Sequence, residues 1–118
     1  MITYIVRLVH SDDYEVEEIE VRTLAEAEEL AAHYENDDYY SMVDIIAYAY
    51  TPGTEKREAT IDVLNPEKES SYKYNVQIWY SPDGGNNFYY TGNGRKCKTR
   101  EEVEAYVTKE MDEGRKTA

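Results

Sequence analysis

Residues 4–13, YIVRLVHSDD, recur in altered form as residues 74–83, YNVQIWYSPD. At an offset of 70 the Tyr, Val, Ser and final Asp are identical, and Leu8 is matched by Ile78. In both stretches apolar side chains occupy every second position, which is typical of a β-strand with one buried face. Each stretch ends in a turn signal rich in Ser, Asp or Pro. The two stretches therefore predict strands that open two similar units.

A helix start follows each of these units. Residues 23–26, TLAE, and residues 99–102, TREE, are capping boxes at an offset of 76. Apolar residues at helical spacing come next: Leu24, Ala27, Leu30, Ala31 and Tyr34 in the first helix, and Val103, Tyr106, Val107 and Met111 in the second. We expect the first helix to span residues 24–35 and the second to end at a Gly114 cap.

Further strands are predicted between and beside these elements. The expected segments are residues 15–22, 42–50, 59–63, 72–80 and 88–91. Val16 is out of phase with Ile19 and Val21, which predicts a β-bulge near Glu17. Pro52-Gly53 predicts a type II turn, and residues 65–71 predict a polar connector.

The predicted element order is ββα-ββ-ββα within a single domain, residues 1–118. Residues 1–36 form the first ββα unit, 42–64 the middle hairpin, 72–113 the second ββα unit, and 114–118 a frayed tail. The fold class is α+β: an antiparallel sheet of about six strands with two helices on one face, which would bury both apolar helix stripes. The similarity of the units fits either an internal duplication or independent use of the same turn and cap signals.

Length and cysteine content limit the class of protein. The chain has 118 residues, which suits one domain that folds without disulfides or metals. Cys97 is the only cysteine, so an intramolecular disulfide is excluded. No segment has the roughly 18 apolar residues of a membrane helix, and no basic region of a signal peptide precedes the first strand. We expect a soluble, cytoplasmic protein without a membrane partner.

Catalytic and metal-binding motifs are missing from the sequence. His10, His33 and Cys97 have none of the spacings of a zinc site or of a cysteine nucleophile. The glycines in residues 84–85 and 92–94 lack the strand–glycine–helix context of a phosphate loop. Asp44, within an apolar strand, is the one acid whose surroundings would shift its pKa. The sequence predicts a protein that is not an enzyme and has no cofactor or metal.

The charge is large and unevenly distributed. Residues 1–46 hold 13 acidic and two basic side chains, a net charge of −11, whereas residues 47–118 hold 12 acidic and 11 basic ones, a net charge of −1. Such an acidic chain is not expected to bind nucleic acid directly. The basic run at residues 95–100 is better explained as a solubilising sheet edge, or as a source of internal salt bridges, than as a single-strand binding site.

Acidic and tyrosine side chains are interleaved in the first half of the chain. Carboxylates on a rigid surface present negative charge much as phosphates do, and tyrosine adds contact area at low entropic cost. We therefore predict a partner-binding surface, whose members are Asp12, Asp13, Tyr14, Glu15, Glu17, Glu18, Glu35, Asp37, Asp38, Tyr39 and Tyr40. A solvated acidic face with ordinary strand tyrosines remains the alternative.

In size, charge and lack of catalytic groups, the chain resembles small acidic anti-defence proteins of phages and mobile elements, the anti-CRISPR and anti-restriction inhibitors. The resemblance includes no motif, so it assigns no residue. It implies a nucleic-acid mimic that docks on the basic site of a nucleic-acid-handling enzyme or complex. The alternative is a small interaction or homodimerising module with no inhibitory role.

Overall fold

The computed structural model describes residues 2–49, 55–64 and 72–117. The elements are β1 (Ile2–His10), β2 (Val16–Val21), α1 (Leu24–Glu35), β3 (Tyr40–Ala49), β4 (Lys56–Val63), β5 (Tyr74–Ser81), β6 (Tyr89–Cys97) and α2 (Arg100–Thr117). The predicted turn at Pro52-Gly53 and the predicted connector at 65–71 lie outside the described residues. Among the described residues, no helix is long and apolar enough to cross a membrane.

The six strands form one antiparallel sheet in the order β2-β1-β3-β4-β5-β6. Both helices cover the same face, which we call the helix face; the other is the open face. The α+β class and the order ββα-ββ-ββα are confirmed. The two halves of the sheet are related in strand order by a pseudo-two-fold axis between β3 and β4. This axis exchanges β1 with β5 and β2 with β6.

Alternating apolar residues form the core beneath the helices. Tyr4, Val6 and Leu8 of β1 are buried there, as are Tyr74, Val76 and Ile78 of β5. They pack with the predicted helix stripes, whose buried members are Leu24, Ala27, Ala31, Val103, Val107 and Met111. Transfer of apolar side chains out of water is the main force that holds the helices to the sheet.

Both capping boxes form as predicted. The amide of Glu26 donates to Thr23 Oγ1 at 3.1 Å, and the amide of Glu102 donates to Thr99 Oγ1 at 3.1 Å. The two glutamate carboxylates accept from the amide one residue before each threonine, at 3.2 Å for Arg22 and 3.0 Å for Lys98. In each helix the threonine therefore satisfies one of the first backbone donors, and the glutamate fixes the residue that precedes the cap.

The two ββα units share a strand register. Tyr4 lies opposite Val21, and Tyr74 lies opposite Cys97. Adding 70 to the residue numbers of β1 and 76 to those of β2 converts four consecutive β1–β2 residue pairs into β5–β6 residue pairs. Of the six extra residues, two lie in an irregularity of β6 and four in the β5–β6 loop. The additional length is thus confined to the glycine-containing parts of the second hairpin.

Several predicted details are wrong. The β1–β2 register is continuous from Tyr4–Val21 to Val9–Val16, so β2 has no bulge, and Val16 faces the open side. β3 starts two residues before the predicted position, and β4 starts three before it. β6 continues through Gly92, whose φ of 87° accommodates the irregularity. α2 runs through Gly114 to Thr117, so the helix does not end at the predicted Gly114 cap.

The caps give a first prediction. We expect Thr23→Ala and Thr99→Ala each to lower the free energy of unfolding by about 1 kcal/mol, because each removes the acceptor of one helix-terminal amide. Urea denaturation measures the change. Thr108→Ala is the control, since its hydroxyl donates to the Glu104 carbonyl within the helix and caps no helix end. Equal stability of all three variants would contradict the caps' role.

The β5–β6 loop is held by one carboxylate. Asp83 accepts hydrogen bonds from the Ser81 hydroxyl at 2.7 Å and from the Asn87 amide at 2.9 Å and side chain at 2.8 Å. The bonds from Asn87, followed by that from Ser81, lower the pKa of Asp83 to about 2. The ordinary value of 3.8 applies in the unfolded chain, so the carboxylate form favours the folded state.

The loop gives a pH prediction. The contribution of Asp83 is complete above pH 4 and is lost as the pH falls towards 2, because only the folded state holds the charged form so strongly. We expect Asp83→Ala to show a shallower loss of unfolding free energy across that interval than the unmodified protein. Chemical denaturation at a series of pH values measures both slopes. Parallel slopes would contradict the prediction.

Candidate partner-binding site

Backbone hydrogen bonds bring the two acidic segments together at one end of the sheet. The Ser11 amide donates to the Tyr39 carbonyl at 2.8 Å, and the Ser11 hydroxyl donates to the Asp38 carbonyl at 2.8 Å. The Ser41 hydroxyl also donates to the Val9 carbonyl at 3.3 Å. The β1–β2 turn therefore lies beside the loop that joins α1 to β3.

We call this surface the acidic end. Its members are Asp12, Asp13, Tyr14, Glu15, Glu17, Asp37, Asp38, Tyr39 and Tyr40. All are exposed except Tyr40, which is half-buried. No arginine or lysine occurs in residues 10–18 or 33–41. Within the described residues, His10 Nε2 lies 3.4 Å from the Glu17 carboxylate.

Two of these acids also shape the backbone. Asp13 Oδ1 accepts from the Glu15 amide at 3.0 Å, and Asp37 Oδ1 accepts from the Tyr39 amide at 3.0 Å. Both are local turns of the type that Asp favours. The Asp12 and Asp38 side chains accept no hydrogen bond within the described part of the chain. Asp12 and Asp38 are therefore the acids whose replacement tests charge with the least effect on the loops.

The tyrosines of the acidic end differ in role. Tyr40 packs edge-on against His10 at 5.2 Å and against Tyr34 at 5.1 Å, so much of its ring serves the fold. Tyr14 and Tyr39 remain 73% and 52% exposed. Edge-to-face packing of this kind is favourable and orders the rings. The two exposed tyrosines are the aromatic side chains best placed to contact another molecule.

Glu18 is set apart from the acidic end. It lies on the open face, where Arg7 Nε donates to its carboxylate at 2.8 Å. Arg7 also donates to Glu58 of β4 at 2.9 and 3.2 Å. Burial lowers the pKa of Arg7, but the hydrogen bonds of Glu58 and then Glu18 outweigh this and raise it overall. Glu18 thus neutralises a cation of its own chain.

Glu35 faces a cleft instead of the acidic end. The cleft, about 350 Å³ in volume, lies between α1 and the ends of β3 and β4, which pair only from Ile45–Ile61 to Ala47–Ala59. Asp44 and Asp62 also line it. Burial and then the nearby Asp62 raise the pKa of Asp44, while Arg7 acts in the opposite direction. The raised pKa of Asp44 agrees with the apolar surroundings predicted for it.

Three apolar side chains beside the acidic end were missed by sequence reasoning. Val9 lies opposite Val16 on one side and Met42 on the other, which forms an apolar row on the open face. Val16 and Met42 are 60% and 54% exposed. The odd-numbered spacing between Val16 and Ile19 could have predicted this, because it places the Val16 side chain on the opposite face of the sheet. It does not indicate a bulge.

Comparison with protein-family models, curated proteins and solved structures finds no match to this chain. Among the described residues, no three His, Cys, Asp or Glu side chains are grouped so as to hold a metal ion. The Cys97 thiol is buried, and burial raises its pKa. The interpretation of the site therefore rests on the geometry and charge of the acidic end.

The loop geometry gives a third prediction. We expect Asp37→Ala to speed hydrogen exchange at the Tyr39 amide by about tenfold, because the variant removes that amide's acceptor. Asp38→Ala is the matched control, since its side chain accepts no hydrogen bond within the described residues. Exchange measured by NMR compares the two. Similar protection of Tyr39 in both variants would contradict the role of Asp37.

Proposed function

We propose that this chain is a non-enzymatic binding protein whose acidic end docks on the basic nucleic-acid-binding site of another protein. One observation carries the proposal: the Ser11 hydrogen bonds join two acidic segments into a single surface. Carboxylates repeated on that surface offer a basic groove the charge that phosphates would otherwise supply. An inhibitor of this kind needs no catalytic group.

Charge and aromatic contacts have separate roles in the proposal. Exposed carboxylates such as Asp12 and Asp38 attract a basic partner and mainly speed the encounter. Tyr14 and Tyr39, once enclosed by the partner, supply buried area and a hydroxyl and so slow dissociation. The neighbouring apolar side chains of Val16 and Met42 extend the contact towards the open face.

A small assembly module is the second candidate. Exposed tyrosines away from the acidic end favour it: Tyr72, Tyr89 and Tyr90 are 45%, 59% and 48% exposed. An interface based on such side chains depends on apolar burial, so its affinity changes little with salt. Binding by the acidic end weakens steeply as salt rises, which distinguishes the two candidates.

The docking surface gives a fourth prediction. We expect the double variant Asp12→Lys/Asp38→Lys to associate more slowly with the partner and to show a flatter salt dependence, because it reverses two unpaired surface charges. The double variant Glu29→Lys/Glu101→Lys changes the net charge equally but on the exposed surfaces of the helices. It should bind as the unmodified protein does.

The experiment uses affinity capture from host lysate with the three proteins as bait. Proteins retained by the unmodified bait and by the helix control, but lost from the acidic-end variant, are the partner candidates. Surface plasmon resonance with the purified partner then gives rates at several salt concentrations, with nucleic acid as competitor. Affinities within about 0.5 kcal/mol for all three proteins, or absence of competition, would overturn the proposal.

A further inference from the structure

The two edges of the sheet are both open. Within the described residues, β2 pairs only with β1, and β6 pairs only with β5. An edge strand presents backbone donors and acceptors that another strand can pair with. The sheet thus has two places where a further strand can add.

These edges carry opposite charge. Residues 15–21, at the β2 edge, contain four glutamates and no basic residue. Residues 89–98, at the β6 edge, contain Arg95, Lys96 and Lys98 and no acidic residue. Charge on an edge strand prevents pairing with a like-charged edge, but it favours pairing with an edge of opposite sign.

The directions of the two edges are also compatible. Five successive antiparallel pairings separate β2 from β6, so the two strands run in opposite directions. A second copy in the same orientation, displaced sideways along the sheet, would place its β2 antiparallel to β6 of the first. The helices of both copies would then cover the same face, and the sheet would continue without a break.

Charged side chains fall on matching faces in that arrangement. Glu18 and Glu20 lie on the open face, as Lys96 does, while Glu17 lies on the helix face with Arg95. A register that places Glu18 opposite Lys96 leaves Glu20 diagonal to Lys96 and Glu17 diagonal to Arg95. Long side chains reach both positions across neighbouring strands.

We propose that the β2 edge of one chain pairs with the β6 edge of a second copy in a head-to-tail contact. This inference is independent of the partner proposed for the acidic end. The irregularity near Gly92 limits the regular part of the β6 edge, and the net charge of −12 repels the copies. The contact is therefore weak and depends on concentration and salt. Because a head-to-tail dimer still has one free β2 edge and one free β6 edge, association continues beyond a dimer.

The test is sedimentation velocity over a range of protein concentrations, at about 0.02 M and about 0.5 M salt. The unmodified protein should form species larger than a dimer at low salt and should dissociate at high salt. Two variants reverse one edge each: Glu17→Lys/Glu20→Lys and Arg95→Glu/Lys96→Glu. Glu18 is kept because Arg7 binds it. Each variant alone should associate at least about tenfold more weakly, because attractive cross-strand pairs become repulsive.

An equimolar mixture of the two variants provides the decisive measurement. One kind of junction in the mixture joins two unmodified edges. In the other, the reversed charges at positions 17 and 20 meet the reversed charges at positions 95 and 96, and only Glu18, which stays acidic, lies opposite an acidic side chain. Association should therefore return at least to dimers that contain one copy of each variant. The double variant Glu29→Lys/Glu101→Lys, which leaves both edges intact, should associate at least as well as the unmodified protein. Circular dichroism checks that each variant folds. If a reversal prevents folding, the glutamine versions at the same four positions replace it and should weaken association.

Three results would overturn the proposal. The first is an unmodified protein that stays monomeric at every concentration at low salt. The second is association of the single-edge variants as strong as that of the unmodified protein, and the third is a mixture that does not recover association. A dimer that does not grow and is insensitive to salt would instead indicate a symmetric apolar interface.

Discussion

Burial of one face of the sheet is the constraint on which the structure depends. The alternating residues of β1 and β5 place their apolar side chains on the same side, so both helices have to cover that side. The open face then carries charged residues, such as Arg7 with its two glutamates, beside the apolar row of Val9, Val16 and Met42. The acidic end lies where β1, β2, α1 and β3 begin or end, outside the core.

The two ββα units are joined by a contact that only one of them makes fully. The Tyr74 hydroxyl donates to Glu28 at 3.0 Å, and Arg100 holds the same carboxylate. When the two units are aligned at offsets of 70 for the first strand and 76 for the helix, Tyr4 corresponds to Tyr74 and Glu104 corresponds to Glu28. The residue that corresponds to Arg100 is Leu24. The buried Tyr4 hydroxyl has no hydrogen-bond partner among the described residues. Burial raises the pKa of both tyrosines to about 12.

Negative charge serves several different purposes in this protein. Glu26 and Glu102 cap helices, Asp83 orders a loop, and Glu18 neutralises Arg7. Besides these structural uses, exposed carboxylates lie together at the acidic end and along the outer edge of β2. These are the surfaces from which the proposed partner binding and the proposed self-association arise.

Local features of this fold were determined by the sequence itself. Alternation within a strand, helical stripes and capping boxes involve residues no more than about four positions apart, so a single stretch predicts them. Tertiary structure alone decided which distant groups meet. Ser11 donates a hydrogen bond to Tyr39, Arg7 forms ion pairs with Glu18 and Glu58, and Val16 faces away from the core. Strand pairing sets these contacts, because it brings together residues that the chain separates by 11 to 51 positions.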